Sequence, residues 1–348
     1  MRPFAYLRAS NATEAVRATM LPVIDLERDG VAGSRAPAQF LAGGTTLLDL
    51  MKLGTIDPTA LVDINDLESN YSDVIASPDG LRLGALTRMA RVGDHPIVQR
   101  DYPVIAQSLL LAASAQIRNM ATLGGNVLQR TRCAYFRDPS YRACNKRHPG
   151  SGCAALEGVN RMHAVLGTSD ECIATYPGDL AQALVALDAS VDIVGQDGTR
   201  TIPFAMLHRE PGDHPEVETT LAAGDLITGF TVPSGPWTRR SLYLKIRDRE
   251  SYEFGVATAA VALDLDDNTQ MVRAARIALG GVATRPWRSH EAEQALVGRA
   301  FTIATAEESA NAAFASAVTH GDNGYKPELG RRTLVRALRQ AAALEVQP

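Results

Sequence analysis

All the cysteines of this chain lie in one irregular segment, and they are Cys133, Cys144, Cys153 and Cys172. The residues around them, 132–176, are rich in Arg, Asn, Gly, Pro and His and show little apolar periodicity. We expect such a segment to bury too little apolar surface to order itself. Four thiols in one segment can surround a single centre, so a metal centre is expected to hold it.

The spacing of these cysteines leaves several kinds of site open. Two disulfides suit a small secreted domain, but this chain is long enough for a large core and shows no signal peptide. Structural zinc usually takes paired cysteines about two to four residues apart, and no such pair occurs. An iron–sulfur cluster needs four thiolates and tolerates varied spacing. Unrelated buried cysteines are the last alternative. Spacing favours the cluster by a small margin.

Other polar residues of the cysteine segment carry weaker signals. Because four cysteines suffice as ligands, we interpret His148 and His163 as solvated or as lying beside the site. Four arginines either raise the potential of an anionic cluster or belong to a solvated loop: Arg132, Arg137, Arg142 and Arg147.

The composition is that of an ordinary globular protein with two or three domains. The chain has 348 residues, of which 45% are hydrophobic and 21% are charged. The net charge of -4 and the pI near 6.0 predict no basic surface for nucleic acid. No apolar run reaches the ~18 residues that span a bilayer. We expect neither a nucleic-acid partner nor a membrane span, and folding in a reducing compartment.

Apolar periodicity and turn residues predict a chain of mixed helices and strands. Helices are predicted over 13–20, 47–51, 104–115, 180–187, 290–296, 305–318 and 327–344. Strands are predicted over 38–42, 61–64, 81–86, 191–194, 199–203, 226–232, 242–247, 255–265 and 272–279. The run 233–236 is predicted as a domain boundary.

Two glycine-rich loops precede helical patterns, at 43–46 and 123–126. Glycine lets the backbone approach a ligand, and a helix start offers unpaired amides. Neither loop has the lysine of a phosphate-binding Walker motif or the spaced glycines of a dinucleotide fingerprint. A plain tight turn is the alternative for each loop taken alone. Together the two loops could clasp the phosphates of a dinucleotide from opposite sides.

The order of these motifs resembles a known family. Segments 41–48, 116–119 and 121–126 resemble the FAD-binding medium subunit of the molybdenum hydroxylases, the family of xanthine dehydrogenase, aldehyde oxidoreductase and carbon monoxide dehydrogenase. Residues 178–189 resemble the Asp-Leu helix of that family, and 245–254 resemble the start of its C-terminal domain. Residues 280–288 are similar to a later motif, so the resemblance covers nearly the whole chain.

The resemblance implies an α+β fold. Residues 1–233 would form a two-part FAD-binding domain of the vanillyl-alcohol-oxidase type, with lobes at about 1–58 and 59–233. An iron–sulfur insertion would occupy about 130–176. Residues 237–345 would form a sheet-plus-helices domain like the C-terminal domain of the carbon monoxide dehydrogenase flavoprotein.

The resemblance also implies which residues hold FAD. Ala112 would line the pocket or simply pack its helix, and Ile227 would add an apolar wall. Asp179 would accept hydrogen bonds from a ribose or another FAD hydroxyl, or else cap the following helix. Lys245 would place positive charge near the isoalloxazine, or else be solvated. The two loops would contact the pyrophosphate with Leu41, Ala42, Gly43, Gly44, Thr45, Thr46, Leu47 and Leu48, and with Thr122, Leu123, Gly124, Gly125 and Asn126.

Most medium subunits run almost directly from the second loop to the Asp-Leu helix, whereas this chain inserts the cysteine segment there. The insertion resembles two branches of the family, the periplasmic aldehyde oxidoreductases and 4-hydroxybenzoyl-CoA reductase, and in both it carries a [4Fe–4S] cluster. The sequence around Cys133 and at 252–254 is closer to the aldehyde oxidoreductases. The resemblance therefore implies a [4Fe–4S] cluster on the four cysteines.

The implied function is electron transfer within a larger enzyme. A large molybdenum-cofactor subunit would oxidise an aldehyde, and a small [2Fe–2S] subunit would pass electrons to FAD here and on to an external acceptor. No catalytic base is expected in this chain. The alternatives are the medium subunit of a 4-hydroxybenzoyl-CoA reductase and a non-redox zinc-binding scaffold. We expect folding in the bacterial cytoplasm, with co-export to the periplasm open through a signal-bearing partner.

Overall fold

The computed structural model describes residues 2–20 and 38–346. Within these ranges the strands form three sheets that follow one another along the chain. The first sheet is parallel, and its strands are β1 (Ala5–Arg8), β2 (Ala38–Leu41) and β3 (Ala60–Asp63). β3 lies between β1 and β2, and all four of its residues are buried because it has a parallel neighbour on each side.

The second sheet is antiparallel and has the strand order β4-β5-β8-β6-β7. Its strands are β4 (Val74–Ser77), β5 (Gly80–Gly84), β6 (Ser190–Gly195), β7 (Gly198–Pro203) and β8 (Leu226–Pro233). The strands predicted over 191–194 and 199–203 form the β6–β7 hairpin, which turns at Gln196 and Asp197. Between β5 and β6 the chain makes a long excursion that contains the second glycine loop and the cysteine segment. The second glycine loop and the cysteine segment therefore both connect strands of this sheet.

The third sheet is antiparallel and has the order β12-β11-β10-β9. Its strands are β9 (Ser241–Ile246), β10 (Ala257–Leu265), β11 (Val272–Gly280) and β12 (Trp287–Arg288). The helices of the described residues are α1 (Ala12–Thr19), α2 (Leu47–Lys52), α3 (Glu68–Tyr71), α4 (Met89–Gly93), α5 (Pro96–Asp101), α6 (Pro103–Leu110), α7 (Ala115–Met120), α8 (Leu123–Val127), α9 (Ala134–Arg137), α10 (Leu180–Ala186), α11 (His290–Leu296), α12 (Ile303–Ala313) and α13 (Lys326–Ala342).

Two large apolar clusters hold these layers together. In the first, α6 and α10 pack between the second and third sheets, and every residue of α10 is buried. In the second, α13 packs across β9 and β10 with α11 and α12 beside it. Val165 and Leu166 from the cysteine segment belong to this second cluster, and both are fully buried. The expectation that the segment buries too little apolar surface is therefore wrong for its second half.

The predicted α+β class is confirmed, and most predicted elements are present. The helix predicted over 104–115 is wrong in extent, because α6 ends at Leu110 and Ala113 has a positive φ of 49°. Ser114 then caps a separate helix, α7, by accepting a hydrogen bond from Ile117 N at 3.3 Å. The helix predicted over 305–318 already ends at Ala313. None of the helices in the described ranges is long and apolar enough to cross a membrane.

Candidate functional site

The two glycine loops face each other across one cavity of about 210 Å³, here called the loop cavity. The first loop follows β2 and leads into α2, and the second loop forms the start of α8. Predicted residues that line the cavity are Ala42, Gly43, Gly44, Thr45, Thr46, Leu47, Thr122, Gly124, Gly125 and Ile227. The structure thus brings together two loops and a residue of β8 that are far apart in the chain.

The glycines of these loops have different physical roles. A Cβ on Gly43 would lie 2.0 Å from the Met120 carbonyl oxygen, so Gly43 permits the two loops to approach each other. Gly44 has a φ of +70°, a conformation that other residues rarely adopt. A Cβ on Gly125 would meet only the Thr122 Oγ1 atom, at 3.1 Å. Gly125 therefore leaves open the space that faces the loop cavity.

Several polar groups lie at the loop cavity or just behind its lining. Thr122 Oγ1 accepts from Gly125 N at 3.2 Å and fixes the start of α8. Asn126 Oδ1 is buried and has no hydrogen-bonding partner among residues 2–20 and 38–346. Arg130 also lines the cavity. Backbone N–H groups at a helix start and a cation are the kinds of group that hold a phosphate, whereas the Asn126 amide oxygen is an acceptor and suits a hydroxyl or N–H donor of a ligand.

Some predicted residues do not line the loop cavity, and other residues were missed. Leu41, Leu48, Leu123 and Asn126 lie behind its lining, where Leu41 and Leu48 pack beside Gly44. The lining residues that sequence reasoning missed include Phe40, Ala85, Leu86, Arg130 and Asp225. Ala85 and Leu86 follow β5, and the Ala85 carbonyl accepts from Gly124 N at 2.8 Å. The available signal was the Gly-Ala-Leu-Thr run at 84–87, which overlaps the end of the strand predicted over 81–86.

Arg130 belongs to a partly buried charge network at the base of the cysteine segment. Arg130 and Lys146 both pair with Glu218, the Lys146 ammonium at 2.9 Å. Burial opposes ionisation of Glu218, but the charges of Arg130 and Lys146 outweigh it and lower its pKa to about 2. These residues border a larger cavity of about 470 Å³ that shares Arg130 and Asp225 with the loop cavity. The network joins the cysteine segment to the loop before β8.

Asp179 and Lys245 form a second predicted group, and the structure pairs them directly. Lys245 Nζ donates to Asp179 Oδ2 at 2.7 Å and to the Leu111 carbonyl at 3.2 Å. Tyr243 donates its hydroxyl to Asp179 Oδ1 at 2.6 Å, and burial raises the pKa of that tyrosine well above its usual value. Two alternatives are therefore wrong: Lys245 is not solvated, and the Asp179 side chain makes no capping bond to α10.

Asp179 lines a cavity of about 340 Å³, here called the Asp179 cavity. Phe254 and Gly255 line it from the C-terminal side, and Cys133 and His163 line it from the cysteine segment. Lys245 and Ala112 are buried but lie outside the lining of both cavities. Ala112 follows Leu111, whose carbonyl binds Lys245, so these two predicted residues lie behind Asp179.

The four cysteines converge on one small cavity, here called the thiol cavity. All four are free, and Cys144 and Cys153 form an antiparallel bridge between their backbones. The cavity measures only about 10 Å³, which is room for about one water molecule. Within the ranges 2–20 and 38–346, no three His, Cys, Asp or Glu side chains are arranged to hold a single metal ion.

The four thiols differ in their surroundings. Burial raises the pKa of Cys133 to about 11. A hydrogen bond from Cys172 lowers the pKa of Cys153, and the same bond raises the pKa of Cys172. Ala174 N donates to Cys172 Sγ at 3.4 Å. Sulfur atoms that accept backbone N–H bonds and lie together in a buried pocket are a donor set suited to soft metals.

Arginine and histidine side chains hold the polypeptide around the thiols. The buried Arg147 guanidinium donates to four carbonyls, those of Tyr135, Phe136, Asp138 and Tyr141. Arg147 therefore holds the backbone of residues 135–141 together, and the interpretation of Arg147 as part of a solvated loop is wrong. His163 Nε2 lies 3.2 Å from Cys133 Sγ, and burial together with the Lys326 charge lowers the pKa of His163 to about 4. The solvated interpretation of His163 is therefore wrong.

Comparison with known proteins gives a consistent result along the whole chain. Residues 2–235 match the family described as the FAD binding domain in molybdopterin dehydrogenase. Residues 242–345 match the CO dehydrogenase flavoprotein C-terminal domain.

Individual relatives and solved structures agree with these matches. The chain is 42% identical to the aldehyde oxidoreductase FAD-binding subunit PaoB of Escherichia coli over 345 residues, 99% of each chain. It is 27% identical to the carbon monoxide dehydrogenase medium chain of Hydrogenophaga pseudoflava, covering 88% of this chain and 90% of that relative. A solved structure of carbon monoxide dehydrogenase from the same organism superposes with a TM-score of 0.73 at 25% identity, covering 98% of both chains.

Proposed function

This chain belongs to the family of FAD-binding medium subunits of the molybdenum hydroxylases, and from that membership we propose that it carries FAD and a [4Fe–4S] cluster in a molybdenum-dependent aldehyde oxidoreductase. It is a subunit of an oxidoreductase whose substrate is oxidised in a partner subunit. Full-length identity of 42% to an aldehyde oxidoreductase FAD-binding subunit supports the aldehyde class over the thioester reductase alternative.

The loop cavity supports the binding of FAD. Bound FAD supplies a centre that accepts and releases electrons singly or in pairs. Gly125 leaves room for a ligand to approach the backbone of the second loop, and Gly43 lets the first loop lie directly against the second. Asn126 Oδ1, behind the cavity lining, is a buried acceptor without a partner among residues 2–20 and 38–346. Arg130 adds positive charge on the same side. The residues of the two loops would therefore hold the pyrophosphate and orient the rest of the cofactor.

The convergence of four free cysteines on one cavity is the single observation that carries the cluster proposal. A [4Fe–4S] cluster bound by cysteines supplies a one-electron relay. Cys133, Cys144, Cys153 and Cys172 would hold the cluster, and a centre of several irons would not require their sulfurs to approach one point as the ligands of a single ion must. The donor set fits the cluster and does not fit mononuclear zinc in the arrangement observed.

Cluster loading requires the thiol cavity to expand. Its volume of about 10 Å³ is smaller than a unit of four irons and four sulfides. Cys133 and Cys153 are partly exposed whereas Cys144 and Cys172 are buried, so expansion would begin at Cys133 and Cys153. Arg147 anchors the 135–141 turn and Lys146 anchors the neighbouring backbone to Pro215 O at 2.9 Å. With the backbone held at these two points, the cysteine side chains would rotate to enlarge the cavity while the backbone stays in place.

The full electron route is also part of the proposal. Electrons from a large molybdenum subunit would pass through a small [2Fe–2S] subunit to the FAD of this chain and then to an external acceptor. We propose that the complex folds in the bacterial cytoplasm and reaches the periplasm with a signal-bearing partner. Cell fractionation of the assembled complex tests this last step, and recovery of all of it in the cytoplasm would overturn it.

Analysis of the purified chain tests the cofactor proposal. Anaerobically prepared protein should contain one FAD and about four irons and four acid-labile sulfides per chain. The variant Cys144→Ser should lose iron and sulfide together. Stoichiometric zinc without sulfide would overturn the cluster and favour the zinc-binding scaffold. Absence of FAD from a folded chain would overturn the flavin assignment separately.

A further inference from the structure

His163 contacts both the thiol cavity and the Asp179 cavity. Its Nε2 atom lies 3.2 Å from Cys133 Sγ. Its ring also lines the Asp179 cavity, which it shares with Asp179 and Phe254. Among these contacts only the one to Cys133 involves a predicted ligand of the cluster. One side chain thus lies between the proposed cluster ligands and the Asp179 cavity.

The backbone on both sides of His163 is held by the C-terminal part of the chain. His163 N donates to Asn160 O at 2.8 Å, and Asn160 Oδ1 in turn accepts from Asp322 N at 2.8 Å. Lys326 is fully buried and donates to Met162 O at 2.9 Å and to Gly281 O at 2.7 Å. These bonds fix the backbone on both sides of His163 and therefore restrict the position of its imidazole.

The hydrogen-bonding partners of the ring indicate which nitrogen carries the proton. Nδ1 is buried and has no hydrogen-bonding partner within residues 2–20 and 38–346. Nε2 faces a sulfur atom that becomes an acceptor when it is a thiolate. The tautomer protonated at Nε2 therefore makes the one bond that the site offers, an N–H···S bond to Cys133.

We propose that His163 is a positioning residue that donates Nε2–H to the Cys133 thiolate and thereby raises the reduction potential of the iron–sulfur centre. This inference rests on the cluster proposed above. Reduction adds one negative charge to the cluster and its thiolates. A donor aimed at a ligand sulfur stabilises the more negative state in preference to the oxidised one, so the potential rises.

A purely structural role for His163 predicts a different outcome. The ring lies 6.1 Å from the Tyr135 ring, centroid to centroid, and fills space beside the thiols. If packing were its only contribution, any side chain of similar size would preserve the potential of the centre. If the N–H···S bond matters, only a side chain that retains a donor would preserve it. The potential therefore distinguishes the two roles, whereas stability or activity would not.

Three variants of the isolated full chain test the proposal by potentiometric titration of the cluster. His163→Leu removes the donor, His163→Gln retains an N–H donor, and His214→Leu is the control for loss of an exposed histidine. We expect His163→Leu to lower the midpoint potential by about 59 mV. That corresponds to about a tenfold change in the one-electron equilibrium, the effect of one charge-assisted hydrogen bond. His163→Gln and His214→Leu should remain near the wild-type value.

A spectroscopic measurement on the wild-type chain keeps the proposal testable if His163→Leu loses its cluster. With histidine labelled with nitrogen-15, pulsed double resonance of the reduced cluster should detect a histidine nitrogen and an exchangeable proton. Absence of both couplings, or equal potentials in His163→Leu and wild type, would overturn the role of His163 and leave the cluster intact. A wild-type chain without iron and sulfide would instead overturn the proposed function, and this inference with it.

Discussion

Asp179 and Lys245 form a buried ion pair, with 2.7 Å between Oδ2 and Nζ, that joins β9 to the start of α10. Only 6% of the Asp179 side chain and 1% of the Lys245 side chain are exposed. Tyr243 occupies the second carboxylate oxygen, so each oxygen of Asp179 has a donor. A carboxylate held in this way has a fixed orientation at the wall of the Asp179 cavity.

Breaking this pair should destabilise the chain strongly. Lys245→Met leaves the Asp179 charge buried with only the Tyr243 hydroxyl as a donor. We expect the free energy of unfolding to fall by about 3–5 kcal/mol, the usual cost of removing one partner of a buried pair. Urea denaturation followed by fluorescence measures the change.

Two further variants separate the charge from the packing. Tyr243→Phe removes one hydrogen bond to the same carboxylate and should cost about 1 kcal/mol. The double variant Lys245→Met/Asp179→Asn removes the uncompensated charge while leaving an acceptor for Tyr243, so it should recover most of the loss. Equal stability of the single and double variants would contradict the assignment of a buried, charged Asp179.

The sequence identified Asp179 and Lys245 but not their mutual contact. Both positions came from motif resemblance, which assigns a residue to a site and says nothing of its neighbours. Their pairing depends on how the third sheet packs against α10, a contact between residues 66 positions apart. Tyr243 was missed for the same reason, because a single tyrosine in a predicted strand does not indicate which side chain its hydroxyl will bind.

Adding a methyl group at Gly125 should weaken FAD binding without unfolding the chain. A Cβ there would project into the open space of the loop cavity and would touch only Thr122 Oγ1, at 3.1 Å. We expect Gly125→Ala to weaken FAD affinity by at least tenfold, about 1.4 kcal/mol, because the phosphates can no longer approach the backbone. Fluorescence titration of the deflavinated chain measures the affinity.

The matched control is Gly324→Ala. Gly324 is exposed, has no positive φ, and a Cβ there would meet only the Gly321 carbonyl oxygen at 3.8 Å. This variant should bind FAD like the wild type and have a similar melting temperature. Unchanged FAD affinity in Gly125→Ala, with the fold intact, would show that the second loop does not contact the cofactor.

The glycine loops were the part of the site most fully predictable from sequence. A Gly-Gly pair before a helix is typical of close backbone approach or a positive φ, and such a pair is visible in the local sequence. The individual roles were not, since Gly43 is required by Met120, which lies far along the chain. The cysteine segment was harder to predict, because its composition indicated disorder. Val165 and Leu166 nevertheless pack in the C-terminal core. Arg147 donates to backbone carbonyls such as those of Tyr135 and Phe136, and the sequence pattern does not predict these bonds.

Replacing Arg147 should loosen the turn that carries the first two cysteines. Its guanidinium donates to Tyr135 O at 2.6 Å, Phe136 O at 2.8 Å and Asp138 O at 3.0 Å, besides Tyr141 O. A lysine ammonium cannot reach all of these carbonyls, so Arg147→Lys should lose about 3 kcal/mol, roughly the contribution of two charge-assisted bonds. Hydrogen exchange of the amides of residues 134–147 measures the loosening.

Arg142→Lys serves as the control in the same segment, because Arg142 is exposed. We expect its amide exchange and its iron content to match the wild type, since surface substitutions usually change stability by less than about 0.5 kcal/mol. If Arg147→Lys exchanged as slowly as Arg142→Lys, the four carbonyl contacts would contribute nothing to the order of the turn.

Lys326 should make the stability of the chain rise with pH. A lysine in an unfolded chain has a pKa of about 10.4. Burial, and secondarily the charge of Arg161, lower the pKa of Lys326 to about 7. Between these two values the unfolded chain binds a proton that the folded chain does not bind. The free energy of unfolding therefore increases with pH in this window, by up to about 1.4 kcal/mol per pH unit. The free-energy cost of burying the charged ammonium is fully present below about pH 7, and it decreases as the pH rises from about 7 to about 10.4.

Urea midpoints at pH 6.5 and pH 9 for wild type and Lys326→Met test this effect. Lys326→Met cannot titrate, so the stability of the wild type relative to this variant should increase between the two pH values. The neighbouring His163 has a pKa near 4 when folded and about 6.5 when unfolded, so its contribution is confined to the acid end of this range and occurs in both proteins. Loss of the bonds to Met162 O and Gly281 O lowers the stability of the variant at both pH values and leaves the dependence of its stability on pH unaffected.

The control is Lys52→Met, at an exposed position on α2, and its stability should depend on pH as that of the wild type does. A wild-type slope in Lys326→Met would show that another group carries the proton.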